Sequence, residues 1–227
     1  MNKRETGVLL HVSSLPSNHG IGTFGRSAYE FVDFLIEAGQ TYWQVLPLGP
    51  TSYGDSPYQS CSTYAGNHYL IDLDTLVQEG LLEKEELDGI QWSHREDKVD
   101  FGILYNNRMT VLRKAFARFV DWQIAEGVNA LIIAGTTGEG STLSDAEHRE
   151  LFREAIKMID GRVPAIAGTG SNDTAYAVDL TKCACELGYE GMLVVTPYYN
   201  KTSQTGLIKH YFSLADKLNK PLIVYNV

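Results

Sequence analysis

The sequence predicts an α/β protein whose strands run parallel, about six of them over 227 residues. Two observations carry that expectation. From about residue 130 onward, short runs of β-branched and apolar residues alternate with longer helical patterns, and strand starts recur about every 30 residues, the period of a βα unit. The strand runs are continuously apolar, as they are when amphipathic helices cover a parallel sheet. On pattern alone, a barrel and a doubly wound sheet both satisfy these observations.

The elements follow in order. GVLLHV (7–12) reads as a strand, RSAYEFVDFLIEAG (26–39) as a helix with Tyr29, Phe31, Val32, Leu35 and Ile36 on its apolar side, and TYWQVLPL (41–48) as a second strand. The rhythm then breaks. Residues 49–67, GPTSYGDSPYQSCSTYAGN, form a long loop dense in Gly, Ser, Pro and Tyr, a length usually found in functional or disordered segments. YLIDL is expected to be a short strand, EKEELDG an acidic helical stretch, and a long helix begins near Val99 and continues through LRKAFARF into VDWQIAEG. The second half is more regular. ALIIAG precedes SDAEHRELFREAIKMI, VPAIAG precedes NDTAYAVDLTKCACEL, MLVVTP precedes SQTGLIKHYFSLADKL, and PLIVYNV closes the series. Ser144 with Glu147 three residues on is a capping box, which marks where the first of these helices begins.

Composition excludes several functional classes. The chain carries 19 Lys and Arg against 28 Asp and Glu, a formal net charge of −9. Residues 1–119 hold 10 basic against 15 acidic side chains and the remainder 9 against 13, so no basic half is hidden in the total. Nucleic acid is therefore not an expected partner, because affinity for it comes from clustered Lys and Arg. No run approaches 18 consecutive apolar residues, so no membrane span is expected. Three cysteines and an N-terminus without a signal-type apolar segment point to a cytoplasmic protein with reduced thiols. Cys183 and Cys185 lie two apart on a helix and face different ways, so neither a metal site nor a cofactor is expected.

Candidate site residues cluster where strands end. GTTGEGST (135–142) joins a strand to a capped helix; it is either a tight turn or an anion cradle made of backbone N–H groups, and it lacks the GK[ST] ending of a nucleotide loop. Thr136, Tyr199 and Tyr225 place three hydroxyls at strand ends, which suits a proton relay as well as it suits amphipathic rim residues. In the 49–67 loop, Tyr53, Tyr58 and Tyr64 with Asp55, Ser56 and Gln59 have the chemistry of a sugar-binding surface, and equally that of a plain surface loop. His11 reads as a core histidine, and His148 and His210 lie on helices without an assigned role.

Two families share these motifs. GVLLHVSSLPSNHGIGTFG, AYEFVDFLIEAGQTYWQVLPLGPTSYGDSPYQS, AGNHYLIDLDTL and KVDFGILYNNRMTVLRKAF, within residues 4–118, resemble the N-terminus of the amylomaltases, which are 4-alpha-glucanotransferases. VDWQIAEGVNALIIAGTTGEGSTLSDAEHREL, RVPAIAGTGSN, LVVTPYYNKTSQTGL and PLIVYNV, within residues 120–227, resemble dihydrodipicolinate synthase, a pyruvate-dependent lyase. Both resemblances imply TIM-barrel-type fragments, joined inside one helix near Phe119 to Asp121 as segments 1–119 and 120–227 of an incomplete or rearranged barrel.

The second resemblance implies that Thr136, Tyr199 and Tyr225 are a relay remnant, that Thr137 helps hold a pyruvate carboxylate, and that Tyr199 reaches into a neighbouring copy, hence self-association. The Schiff-base lysine and the arginine that meets the second substrate would follow YNV, beyond Val227. The first resemblance implies Ser56 and Tyr58 as sugar contacts for a maltooligosaccharide, with the Asp nucleophile and Glu acid/base of that family on later strands. The expected outcome is a hybrid without the covalent chemistry of either family. The alternatives are residual aldolase-type activity using Lys201 or Lys220, and glucan binding by the tyrosine-rich loop.

Overall fold

The computed structural model describes residues 4–52, 54–60, 65–95 and 97–226. The chain divides into two compact units, Met1–Phe119 and Val120–Val227, and helix α3 (Phe101–Ala125) runs through that boundary. Among the described residues no helix is long and apolar enough to cross a membrane.

In the first unit, β1 (Gly7–Leu9) and β2 (Tyr42–Gln44) pair in parallel, Val8 opposite Trp43, with α1 (Arg26–Glu37) as the crossover. Val12, Leu15, Ala28 and Leu70 form a small core with Phe31 and Trp43 packed against it, and the Phe31 and Trp43 rings meet edge to face at 5.0 Å. The predicted apolar side of α1 is only partly used. Leu35 is buried, but Tyr29 is 72% and Ile36 68% exposed, because a two-stranded sheet is too narrow to cover the whole stripe.

YLIDL is not a strand. Asn67 Oδ1 accepts from the Tyr69 amide (2.9 Å) and Asp72 Oδ1 from the Thr75 amide (2.8 Å), so caps at Asn67 and Asp72 turn this apolar run into a short 3₁₀ helix and then α2 (Leu73–Gln78). A second core cluster, including Leu73, Leu82, Leu87, Trp92, Leu104 and Val111, joins α2 to α3. Asp100 starts α3 by accepting from the Ile103 amide (3.1 Å). Glu86 clamps the loop before it, bonding Arg118 at 2.5 Å and pairing with Lys114 at 3.3 Å; these contacts, Arg118 first, pull its carboxyl down to about 2.

The second unit is a four-stranded parallel sheet in the order β3 (Leu131–Ile133), β4 (Ala165–Gly168), β5 (Gly191–Val195), β6 (Leu222–Tyr225). Helices α4 (Asp145–Ile159), α5 (Thr174–Leu187) and α6 (Gln204–Ala215) follow the first three strands. The predicted capping box is formed, with Ser144 N donating to Glu147 Oε2 at 2.9 Å and Glu147 N to Ser144 Oγ at 3.4 Å. The register Ile132–Ile166 and Leu193–Ile223 assigns alternate residues to opposite faces. On the helix-covered face Ala165, Ala167, Met192 and Val194 are sealed against Phe152, Ala155, Ile159, Ala177 and Leu180, all at most 1% exposed. Arg149 staples α4 to α5 through Asp179 (2.5 Å) while holding Asp145 on its own helix (2.9 Å).

The strands are therefore parallel, as expected, but they are divided between a two-stranded and a four-stranded sheet rather than joined in one barrel wall among the described residues.

Candidate functional site

The carboxyl ends of β3 to β6 enclose a cavity of about 260 Å³ lined by Thr136, Ser141, His148, Tyr198 and Tyr225, by the apolar Ala134, Leu193 and Val195, and by glycine backbone. Its floor comes from an unusual turn. Ala134 occupies the left-handed region (φ 54°), a costly conformation for a residue with a Cβ, and its carbonyl is wedged between Gly140 and Gly168. A Cβ on either glycine would come within 2.2 Å of that oxygen, so only glycine permits the approach. The turn is closed by Glu139 N bonding Thr136 O (3.1 Å) and Gly140 N bonding Gly135 O (3.3 Å).

His148, on α4, is the one imidazole in the lining. It is 4% exposed, its Nε2 donates to the Gly168 carbonyl at 3.1 Å, and its ring meets Phe152 edge to face at 4.7 Å. Burial pushes its pKa down, partly offset by the Gly168 bond, so the ring is neutral near pH 7. The cavity thus offers hydroxyls and one neutral imidazole, with no charged side chain in its lining.

The predicted residues separate into groups. Thr136 and Tyr225 face one cavity, joined there by Tyr198 rather than Tyr199. Tyr199 is 96% exposed, has φ 68°, and lines a neighbouring cleft with Thr196, Asn200, Lys201 and Asn226. Within one chain the three predicted hydroxyls are not brought together. Thr137 is exposed on the turn, outside the cavity lining. Lys201 belongs to the Tyr199 cleft, and Lys220 precedes β6, at the amino end of the sheet.

Sequence reasoning gave His148 no role, although its position four residues after Ser144 puts it on the first turn of α4. Only the return of β4 past that turn reveals its partner. The same holds for His210 on α6, 4% exposed, with Nδ1 2.8 Å from Thr174 Oγ1 at the start of α5.

In the first unit, Thr51 and Ser60 pair as an antiparallel bridge, with Asp55 N bonding Ser52 O (2.9 Å) and Gln59 N bonding Ser56 O (3.0 Å) between them. Tyr58 projects from this turn, 73% exposed, and the half-buried Ser56 accepts from the Tyr58 amide at 3.4 Å. Tyr53 and Tyr64, expected on the same surface, lie outside the described residues. A separate cleft of about 1150 Å³ runs between residues 13–22 and 90–99. Among the described residues no three His, Cys, Asp or Glu side chains form a metal-sized group.

A parallel sheet with its cavity at the strands' carboxyl ends, closed by a glycine turn leading into a capped helix, defines a βα-repeat protein. The chain belongs to two families: residues 103–227 match the dihydrodipicolinate synthetase family and residues 10–130 match 4-alpha-glucanotransferase, the two overlapping within and just beyond α3. The 4-alpha-glucanotransferase of Streptococcus pneumoniae serotype 4 is 55% identical over 121 residues, which cover 53% of this chain and 24% of that protein. The 4-hydroxy-tetrahydrodipicolinate synthase of Nitratidesulfovibrio vulgaris strain DP4 is 48% identical over 112 residues, 49% of this chain and 38% of that one. Among solved structures, the 4-hydroxy-tetrahydrodipicolinate synthase of Methylacidiphilum fumariolicum SolV aligns with a TM-score of 0.50 at 38% identity, over 59% of this chain and 40% of that one. The chain spans about a quarter of the first relative's length and under two fifths of the second's.

Proposed function

We propose that the second unit binds a small α-keto acid of the pyruvate type in the cavity at the ends of β3–β6, without turning it over. The observation that carries this reading is the chemistry of the lining: four hydroxyls and a neutral imidazole, with Leu193 and Val195 as apolar wall, around about 260 Å³, enough for a three-carbon acid, with no amine among them. Imine formation needs an unprotonated amine within reach of the carbonyl carbon. Lys201 and Lys220 lie outside the lining. Among the described residues the amides of Thr136, Thr137 and Gly138 donate to no backbone carbonyl of the turn, which supports a carboxylate cradle with Thr137 beside it.

The four-stranded sheet is read here as part of a barrel wall, with segments 1–119 and 120–227 as separate domains. Thr136 and Tyr225 are read as two members of a hydroxyl relay, with Tyr199, fully exposed beside them, available to a second copy of the chain. The test is borohydride reduction with labelled pyruvate followed by intact mass, beside a ligand-observed NMR titration with pyruvate. Binding without a covalent adduct is expected. A reduced adduct on a single lysine would overturn the inactive reading, and the absence of any binding would overturn the site.

A second reading rests on the first unit alone. The protruding Tyr58 ring gives a stacking face, and the hydroxyl of Ser56 two residues before it a hydrogen-bonding group, which supports weak maltooligosaccharide binding. Trp43 lies in this unit's small core, so a fluorescence titration with maltotetraose gives the readout. The Tyr58→Ala variant should abolish any response. A response that survives in Y58A removes the tyrosine from the site.

A further inference from the structure

We infer, on the keto-acid reading given above, that binding in the cavity of the second unit is coupled to a proton: as the ligand's carboxylate enters, Nδ1 of His148 takes up a proton from solvent and the imidazolium becomes the anion's counter-ion. The hydrogen bond that seats the ring prepares this. Nε2 lies 3.1 Å from the Gly168 carbonyl, which can only accept, so Nε2 carries the hydrogen and Nδ1 is the bare lone pair. Among the described residues Nδ1 has no hydrogen-bond partner, yet unlike Nε2 of His210 it is not a sealed atom, and the cavity is the space that the ring borders.

Charge decides what that lone pair does. Thr136, Ser141, Tyr198 and Tyr225 bring hydroxyls to the lining, and Ala134, Leu193 and Val195 bring apolar wall, so no fixed cation meets a carboxylate there. An anion moved from water into such surroundings is costly unless it is paired, and the amides of the 136–138 turn offer dipoles without net charge. The charged groups that act on the ring stand on its own helix: Asp145, which favours protonation, and Arg149, which opposes it. Those two are bound to each other at 2.9 Å, and Arg149 also holds Asp179 of α5 at 2.5 Å, so the guanidinium is already compensated. Glu139, exposed on the turn, and Tyr176 of α5 stand outside the lining, and from β4 the ring meets the Gly168 carbonyl. His148 is therefore the side chain of the lining that can become a cation near neutral pH.

Burial alone keeps the ring neutral at pH 7, whereas a carboxylate in the same small cavity acts in the opposite direction and favours the protonated form. A site that gains a proton on binding holds its ligand more tightly as pH falls, by up to about tenfold per pH unit while the free ring is neutral and the occupied one charged. Carboxyl groups titrate well below this range, so the slope belongs to the protein.

The experiment is calorimetric titration of the full chain with pyruvate in PIPES, HEPES and Tris, whose ionisation enthalpies differ, at several pH values from about 6.5 to about 8. The binding heat should vary with the buffer's ionisation enthalpy in the sense of proton uptake, and the affinity should fall by up to about tenfold per pH unit. Pyruvamide, similar in shape but uncharged, should take up no proton. His148→Gln, which can still donate to Gly168 but cannot be protonated, should lose both the uptake and the slope, while His210→Gln, outside the lining, should keep them. Should H148Q not fold, the histidine ¹⁵N spectrum of wild type decides, since pyruvate should convert Nδ1 of one ring from its unprotonated to its protonated signature. Buffer-independent heat with an unmoved ¹⁵N spectrum overturns the coupling and leaves the cavity a keto-acid site. Uptake that persists in H148Q overturns the part given to His148, and no binding at any pH overturns the keto-acid reading and the coupling with it.

Discussion

His148 and His210 are nearly sealed, and burial pushes both below the ordinary histidine pKa. The unfolded chain binds protons at about 6.5. The folded state resists protonation until lower pH, so the stability these residues contribute is complete above pH ~6.5 and is lost as pH falls toward their folded pKa values. His210 carries the clearer case, since its Nε2 is buried without a hydrogen-bond partner among the described residues and its Nδ1 is taken by Thr174 Oγ1. The unfolding midpoint of wild type should therefore drop between pH 7 and pH 5, and His210→Gln should flatten that drop. An unchanged slope would show that the imidazole is reached by water. At Gly168 the constraint is steric instead. Gly168→Ala drives a methyl into the Ala134 carbonyl, a backbone atom that cannot rotate away, at a cost of about 1–3 kcal/mol or more. Urea denaturation measures it, and because the displaced carbonyl belongs to the cavity floor, pyruvate binding should be lost in the same variant.

Among the elements, those with a local signal were the legible ones. Ser144 and Glu147 announce α4 in the sequence, and the box is present with both its bonds. Ser144→Ala should cost about 1 kcal/mol, since it leaves a first-turn amide without its acceptor, and Ser144→Gly only a few tenths. Equal losses in the two variants, read from urea midpoints, would mean that the hydroxyl's bond is not what stabilises the cap. YLIDL failed as a strand for a reason visible only in hindsight. Its apolar residues have the composition of a buried strand, but Asn67 and Asp72 bracket them, and side-chain acceptors next to amides outcompete a ladder when no neighbouring strand is at hand. The apolar stripe of α1 was correctly seen as a stripe, yet periodicity cannot say how wide the opposing sheet will be. The cavity was half legible. Strand ends pointed to Thr136 and Tyr225, which line it, whereas Tyr199, expected to reach into a neighbouring copy, is left-handed and lies outside this lining.

At the scale of the whole molecule, the two halves carry different kinds of core. In the first unit the buried residues fall in two clusters, one around α2 and α3 and one over the short β1–β2 pair. In the second unit a four-stranded sheet is sealed by three helices, with Phe152, Leu180, Met192 and Val194 at 0% exposure. Each half also matches its own family, and the matches meet in α3. Side chains selected in unrelated proteins share no history of mutual packing, so cooperativity should be confined to each unit. Calorimetry should then resolve two transitions. Leu104→Ala, which empties a fully buried position in the first unit, should lower one of them by the equivalent of about 2–5 kcal/mol, and Phe152→Ala should lower only the other by about 3–5 kcal/mol. If either variant moves both transitions together, or only one transition exists, α3 couples the two cores and the chain has become a single cooperative protein despite its two origins.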